Sequence, residues 1–226
     1  SNYNKNKNPK IIIKSLRHPS FNKDQFIEND CKIDHNYLIT GPNASGKSTF
    51  LKSIGINVLL SQTIGLVSCD YIYVTPFKLI NTYLNIPDCK GKESLFQAEM
   101  NRCIYYLNNL RKLENFEKGF LIMDEVFSGT NPLEGISGAY SYLHELAKYK
   151  NNLNIVTTHY DYLTNLENEK NINYKNYNFY INIKDLRFTY KLCRGKSETK
   201  IALKLLEKEC FNRNMKNKSR EIFRIL

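Results

Sequence analysis

Apolar runs and helical periodicities alternate along the chain, and this alternation predicts an α/β fold. Short β-branched or apolar runs predict strands at residues 11–13, 37–40, 120–123 and 154–158. The run at 120–123 is apolar at every position, which is typical of a central parallel strand that is buried on both faces. We therefore expect a mostly parallel central sheet, flanked by antiparallel or mixed strands from the N-terminal part of the chain.

Three helices are predicted between these strands. The first follows residue 49 and carries apolar residues at helical spacing: Phe50, Leu51, Ile54, Val58 and Leu59. The second follows residue 94 and places apolar residues along one face: Phe96, Met100, Ile104, Leu107 and Leu110. A turn-rich connection at 128–135 leads into the third helix, which is expected at 138–148.

Outside these elements, the sequence predicts further strands, a hairpin and two distinct chain ends. Residues 67–86 are rich in Tyr, Val, Ile and Thr and predict strands with a turn at Pro76, while residues 179–192 alternate as a hairpin does. Residues 1–10 are polar and basic without periodicity, so we expect a flexible tail or the end of a linker. The main domain is expected at 11–196. A helical element is expected at 197–226, and its apolar end indicates a partner subunit.

A phosphate-binding pattern occupies the junction between the strand at 37–40 and the first helix. The pattern G-x-x-x-x-G-K-[ST] is filled by Gly41, Pro42, Asn43, Ala44, Ser45, Gly46, Lys47 and Ser48, with Thr49 behind them. Backbone N–H groups of such a loop converge on phosphate oxygens, and the helix dipole adds positive charge. Lys47 would reach the β- and γ-phosphates and Ser48 would offer its hydroxyl to Mg²⁺, so ATP and Mg²⁺ are the predicted cofactors. The alternative is a glycine-rich turn that binds nothing, which the flanking strand and helix disfavour.

Two carboxylates end the apolar strand at 120–123. Asp124 can hold the hydration shell of Mg²⁺, and Glu125 can polarise the attacking water as a general base. The alternative is a pair of surface acids at a strand end. His159 ends the next apolar strand, where a γ-phosphate sensor would lie, although a lone histidine at a strand end is more often structural.

The net charge of +11 is concentrated at the two ends of the chain. Residues 1–20 carry five basic and no acidic side chains, and residues 184–226 carry 13 basic and five acidic ones. Residues 21–183 carry 15 basic and 17 acidic side chains. Basic ends are able to contact a phosphate backbone, which makes DNA a candidate partner. A compositional bias is the alternative, because Lys and Asn are abundant throughout.

The six cysteines have neither C-x-x-C nor Cys/His ligand spacing, so neither a zinc site nor a disulfide framework is indicated, and we expect a reducing, intracellular setting. No apolar run approaches the ~18 residues of a membrane span, so we expect a soluble protein without a membrane partner. Because the first residue is Ser1 rather than Met, we expect a processed chain or a piece of a longer one.

These motifs together resemble the C-terminal ATPase domain of the MutS family, the mismatch-repair proteins within the ABC-type ATPases. The resemblance covers nearly everything from Leu16 onward. Besides the phosphate-binding pattern, it is carried by Arg17-His18-Pro19, by Phe26-Ile27 with Asn29, by the segment from Gly91 to Met100, by Asp124-Glu125 with Gly129-Thr130 and Gly135, by Thr158-His159-Tyr160, and by Tyr190-Lys191-Leu192 with Gly195 and Ser197.

The resemblance implies a P-loop NTPase fold of the ABC type, ATP hydrolysis, and an ATP-driven dimeric clamp on DNA in the full-length protein. It also implies a C-terminal helix-turn-helix element for dimerisation. Phe26, Ile27 and Tyr190 would lie near the adenine. Ser94 would reach across a homodimer, or a heterodimer of MutS-like chains, to the nucleotide of the partner.

The chain departs from the family pattern in three places. Ala44-Ser45 replaces Met-Gly, Phe127-Ser128 replaces Gly-Arg, and the T-R-I-G-A segment is not recognisable near residues 81–86. These departures concern coupling to DNA rather than ATP chemistry. They leave open a divergent MutS-like ATPase that serves as a nucleotide-dependent dimerisation module without mismatch recognition. The ATPase of a membrane transporter is a third reading, but its L-S-G-G-Q signature is lacking.

Overall fold

A computed structural model describes residues 8–22, 26–84, 95–182 and 187–197, together with Asn217 and Glu221. The strands are β1 (Ile11–Leu16), β2 (Asn29–Ile33), β3 (Asn36–Thr40), β4 (Tyr71–Val74), β5 (Leu79–Tyr83), β6 (Gly119–Met123), β7 (Asn152–Thr158), β8 (Tyr174–Asn182) and β9 (Arg187–Arg194). The helices are α1 (Lys47–Thr63), α2 (Leu95–Leu110), α3 (Pro132–Leu146) and a 3-10 helix (Asp161–Asn168).

The central sheet has six strands in the order β5-β6-β7-β3-β8-β9. All neighbouring pairs are parallel except β8 and β9, which form the antiparallel hairpin predicted near 179–192. The prediction of an α/β fold with a mostly parallel sheet is therefore confirmed. Thr40 pairs with Thr158 across β3 and β7, and Met123 pairs with Val156 across β6 and β7. The carboxyl ends of β6, β7 and β3 consequently meet at one edge of the sheet.

The N-terminal strands form a separate three-stranded sheet in the order β2-β1-β4. Both pairings in this sheet are antiparallel, so the N-terminal flank has the antiparallel rather than the mixed arrangement. Ile11 and Ile13 of β1 are fully buried and share a core with Phe50 and Ile54 of α1. The small sheet therefore packs against the same helix that follows the phosphate-binding pattern.

Alternation along the central strands divides their side chains between two cores. In β3, Tyr37 and Ile39 belong to the core that contains α1, whereas Leu38 belongs to the core that contains α2 and α3. In β6, Phe120 faces the first core and Leu121 the second. A parallel sheet with helices on both faces needs apolar residues at consecutive positions, as the run at 120–123 indicated.

The third helix begins at Pro132, six residues before the predicted start at Gly138, so that boundary was wrong. Asn131 is the N-cap, and its side-chain oxygen accepts a hydrogen bond from the N–H of Leu133 at 3.0 Å. Pro132 occupies the first turn, where its missing N–H costs nothing, and Glu134 complements the helix dipole there. The sequence Asn-Pro-x-Glu therefore marks the start of a helix, although its residues are also common in turns.

Two apolar positions assigned to buried helix faces are half exposed. Ile104 of α2 is 48% exposed, because the buried stripe of this helix runs through Glu99, Cys103, Tyr106 and Leu110. Leu59 of α1 is 49% exposed, whereas Phe50, Leu51, Ile54 and Val58 are buried as expected. Glu99 occupies a buried position of α2, so the pattern of apolar residues alone predicted the wrong buried face.

The domain division into 1–10, 11–196 and 197–226 stays a prediction. Residues 1–7 lie outside the described part of the chain, as does most of the expected C-terminal dimerisation element. None of the helices in the described ranges has the length and apolar character required to cross a membrane.

Candidate functional site

The phosphate-binding pattern forms the connection between β3 and α1, and we call residues 41–49 the candidate phosphate loop. Gly46 is the N-cap of α1 and has a φ of 101°, in the left-handed region that favours glycine. It provides no side-chain acceptor to the first turn of the helix. A helix start without a side-chain cap leaves backbone N–H groups that are able to bind an anion.

Lys47 is held inside this loop. Its Nζ atom donates hydrogen bonds to the carbonyl oxygens of Gly41 at 2.8 Å and Pro42 at 3.1 Å. Burial lowers the pKa of Lys47, and the nearby carboxylates of Glu125 and Asp124 oppose this shift. The loop thus encloses a buried amino group whose charged form is supported by two carboxylates from the end of β6.

The two carboxylates follow β6 at the same edge of the sheet. The N–H of Asp124 donates to the carbonyl of Tyr83 at 2.9 Å, and the hydroxyl of Thr157 donates to Oδ1 of Asp124 at 2.5 Å. Glu125 has a φ of 55°, an uncommon conformation for a residue other than glycine. Its N–H donates to both the carbonyl and the hydroxyl oxygen of Thr157, each at 3.1 Å. The segment after β6 is thereby fixed by the strands on either side of it.

Glu125 lies between two basic side chains. Its Oε1 atom is 3.5 Å from Nζ of Lys47 and 3.1 Å from Nε2 of His159. His159 directly follows β7 and is 44% exposed on its side chain, whereas the side chain of Lys47 is 4% exposed. The structure therefore brings together the three residues predicted to be catalytic, one from the loop, one after β6 and one after β7.

A cavity of about 770 Å³ opens beside these residues. Its lining includes the loop residues Asn43, Ala44, Ser45, Gly46, Lys47, Ser48 and Thr49, together with Glu125 and the predicted adenine neighbours Phe26, Ile27 and Tyr190. Pockets of roughly 300–1,000 Å³ are typical of small-molecule and cofactor sites. The volume is thus in the range of a small-molecule site, with the candidate phosphate loop at one part of its wall and aromatic side chains at another.

Some lining residues were not predicted from the sequence. Phe21, Phe179 and Phe188 also line the cavity, and the ring centroids of Phe188 and Tyr190 lie 6.1 Å apart. Phe188 and Tyr190 are two residues apart in β9, so the alternation of a strand would have placed both on one face. Phe21 follows a turn and carried no comparable signal.

Asn29 joins the two sheets at the aromatic end of this cavity. Its Nδ2 atom donates to the carbonyls of Ile27 at 3.1 Å and Tyr190 at 3.0 Å, and its Oδ1 atom accepts from the N–H of Leu192 at 2.8 Å. The amide of this one side chain therefore fixes Ile27 and Tyr190, two of the predicted adenine neighbours, relative to each other.

Oxygen atoms of Ser48 and Asp124 are the groups predicted to serve a metal ion. Ser48 lines the cavity, and Asp124 precedes Glu125 at its edge. A hydroxyl and a carboxylate suit Mg²⁺, which is usually held by one or two protein groups with water and substrate phosphates. Within the described residues, no group of three or more His, Cys, Asp or Glu side chains forms an alternative metal site. Ser94, predicted to act on the nucleotide of a partner, lies outside the described residues.

Comparisons with known proteins agree with the family resemblance. The family model for MutS domain V matches residues 37–226. The DNA mismatch repair protein MutS of Pelotomaculum thermopropionicum is 31% identical over 233 residues, covering 96% of this chain and 26% of that protein. The protein of the same name from Thermotoga petrophila is 34% identical over 164 residues, covering 70% of this chain and 20% of that protein. The chain therefore spans 20–26% of the length of these two relatives.

Proposed function

The chain belongs to the MutS family, and on that premise we propose that it binds ATP with Mg²⁺ and hydrolyses it, as the ATPase part of a DNA mismatch-repair protein. In this proposal its fold is that of a P-loop NTPase of the ABC type. The observation that carries the proposal is the position of Glu125, whose carboxylate lies within 3.5 Å of Lys47 and 3.1 Å of His159 beside the candidate phosphate loop.

The candidate phosphate loop would bind the phosphates of ATP. Backbone N–H groups at the start of α1 would donate to phosphate oxygens, and Lys47 would contribute the full positive charge. Ser48 and Asp124 would hold Mg²⁺, which when bound neutralises charge on the β- and γ-phosphates. Lys47 lines the cavity and its Nζ atom is held by the carbonyls of Gly41 and Pro42, so its charge would lie close to a phosphate bound there.

Glu125 would orient and deprotonate the attacking water as the general base. His159 would contact the γ-phosphate, since it reaches the same carboxylate oxygen from the end of β7. Phe26, Ile27 and Tyr190 would surround the base at the other end of the cavity. Stacking on these side chains would hold the nucleotide while the phosphates are aligned.

We infer that ATP binding and dimer closure are coupled, with Ser94 of one chain completing the site of another. Hydrolysis would then reset the dimer. In this proposal DNA is engaged by a full-length MutS-family protein that contains such a domain. A different candidate, a dimerisation module that binds ATP but hardly hydrolyses it, is not favoured because both Asp124 and Glu125 are present at the site.

Steady-state phosphate release tests the proposal directly. We expect the chain to release phosphate from ATP only with Mg²⁺, and we expect Glu125→Gln to reduce the rate by ~10²- to 10⁴-fold while ATP still binds. Glu114→Gln is the matched control, because Glu114 is exposed and precedes β6, whereas Glu125 follows the opposite end of that strand. Undiminished turnover by Glu125→Gln would reject Glu125 as the general base and make His159 the next candidate. A wild-type chain without turnover would contradict the proposed hydrolysis.

A further inference from the structure

Thr157 connects the two carboxylates of the candidate site, although it lines no part of the cavity described above. It is fully buried in β7, two residues before His159. Its hydroxyl donates to Oδ1 of Asp124 at 2.5 Å and accepts from the N–H of Glu125 at 3.1 Å. One side chain therefore contacts both residues that the proposed mechanism assigns to Mg²⁺ and to the attacking water.

The hydroxyl of Thr157 can hold only one oxygen of the Asp124 carboxylate by donation. A threonine hydroxyl has a single proton to donate. Because that proton is directed to Oδ1 of Asp124, the remaining lone pairs of this carboxylate and its Oδ2 atom stay available for the hydration shell of a cation. Hydrogen bonds of this kind, made to the groups that serve a metal ion, orient them and tune their affinity.

The acceptor side of the same hydroxyl acts on Glu125. The left-handed φ of Glu125 is one that residues with a side chain rarely adopt, so it requires support from neighbouring groups. The N–H of Glu125 donates to both the hydroxyl and the carbonyl oxygen of Thr157. This double contact fixes the backbone from which the Glu125 side chain reaches Lys47 and His159.

We propose that Thr157 is a positioning residue that orients Asp124 towards Mg²⁺ and Glu125 towards water. This inference rests on the proposed function.

The test compares Thr157→Val, which keeps the shape but removes the hydroxyl, with Thr157→Ser, which keeps the hydroxyl. Binding of a fluorescent ATP analogue is titrated with Mg²⁺ and repeated in EDTA. We expect Thr157→Val to bind the analogue in EDTA as the wild type does, because Lys47 and the loop are unchanged, and to require ~10- to 100-fold more Mg²⁺ for the Mg²⁺-dependent gain. Phosphate release at fixed Mg²⁺ should fall by the same order.

Thr157→Ser should restore both the Mg²⁺ response and turnover. Thr164→Val is the control for loss of a buried hydroxyl, since Thr164 is 6% exposed and its hydroxyl donates only to the carbonyl of Asp161 at 2.7 Å. A wild-type Mg²⁺ response in Thr157→Val would overturn the inference and leave the proposed function intact. Failure of Thr157→Ser to restore the response would also overturn it. Absence of analogue binding by the wild type would instead overturn the proposed function, and this inference with it.

Discussion

The carboxylate of Glu125 lies 3.5 Å from the ammonium group of Lys47, whose side chain is only 4% exposed. Burial lowers the pKa of Lys47, and the Glu125 carboxylate acts in the opposite direction. An ammonium group removed from water needs such compensation from an anion or from hydrogen bonds. The Glu125 carboxylate therefore supports the charged form of Lys47 inside the loop.

Lys47→Ala should abolish ATP binding while the fold is retained. The substitution removes the one full positive charge of a loop that otherwise offers backbone donors, and its partners Gly41 and Pro42 contribute only carbonyl oxygens. Circular dichroism and titration with labelled ATP measure the two quantities separately. Lys78→Ala is the control, because the side chain of Lys78 is 68% exposed. Unchanged ATP affinity in Lys47→Ala would refute the assignment of the loop.

The main chemical groups of the site could be predicted from the sequence, because each one belongs to a recognisable motif or directly follows a recognisable strand. Lys47 belongs to a fixed-spacing motif, and Glu125 and His159 follow apolar strands whose carboxyl ends meet in a parallel sheet. Their mutual approach could be expected without knowing any distance. The sheet order β5-β6-β7-β3 then realises that expectation.

Residues that act through hydrogen bonds to the backbone could not be found in this way. A buried threonine such as Thr157 contributes to a strand pattern whether or not its hydroxyl has a partner in a neighbouring loop. Asn29 was singled out only through the family resemblance, and the hydrogen bonds by which its amide joins β2 to β9 were not predicted. Such roles depend on long-range contacts that local periodicity does not encode.

Glu99 provides a prediction about stability and pH. It is a buried carboxyl on α2, and burial raises its pKa, while the hydroxyl of Tyr83 and the backbone of Gly129 and Ser128 oppose part of that shift. The folded protein therefore binds this proton more tightly than the unfolded chain does. It follows that the contribution of Glu99 to the free energy of unfolding decreases as pH rises from about 4.3, the usual glutamate pKa, through its raised folded value.

Chemical denaturation across this pH range measures the effect. We expect the free energy of unfolding of Glu99→Gln, relative to wild type, to increase with pH over the window, because glutamine does not titrate. Glu114→Gln again serves as the control for removing a carboxylate, here from an exposed position. A difference between wild type and Glu99→Gln that is constant with pH, or that changes in the opposite direction, would contradict the argument.

The last prediction concerns the shared site. Ser94 directly precedes Leu95, and a Cβ atom on Gly129 would lie 2.5 Å from the Leu95 side chain, so the start of α2 packs closely against the loop that follows Glu125. If Ser94 completes the site of a partner, the ATP-bound state retained by Glu125→Gln should be a dimer. Light scattering should then detect an ATP-dependent doubling of mass in Glu125→Gln, and Ser94→Arg in the same background should prevent it by placing bulk and charge at the shared phosphate.

Ser61→Arg near the far end of α1 is the control, because about 14 residues of helix place it roughly 20 Å from Lys47. A Glu125→Gln protein that remains monomeric with saturating ATP would reject the composite site for this chain.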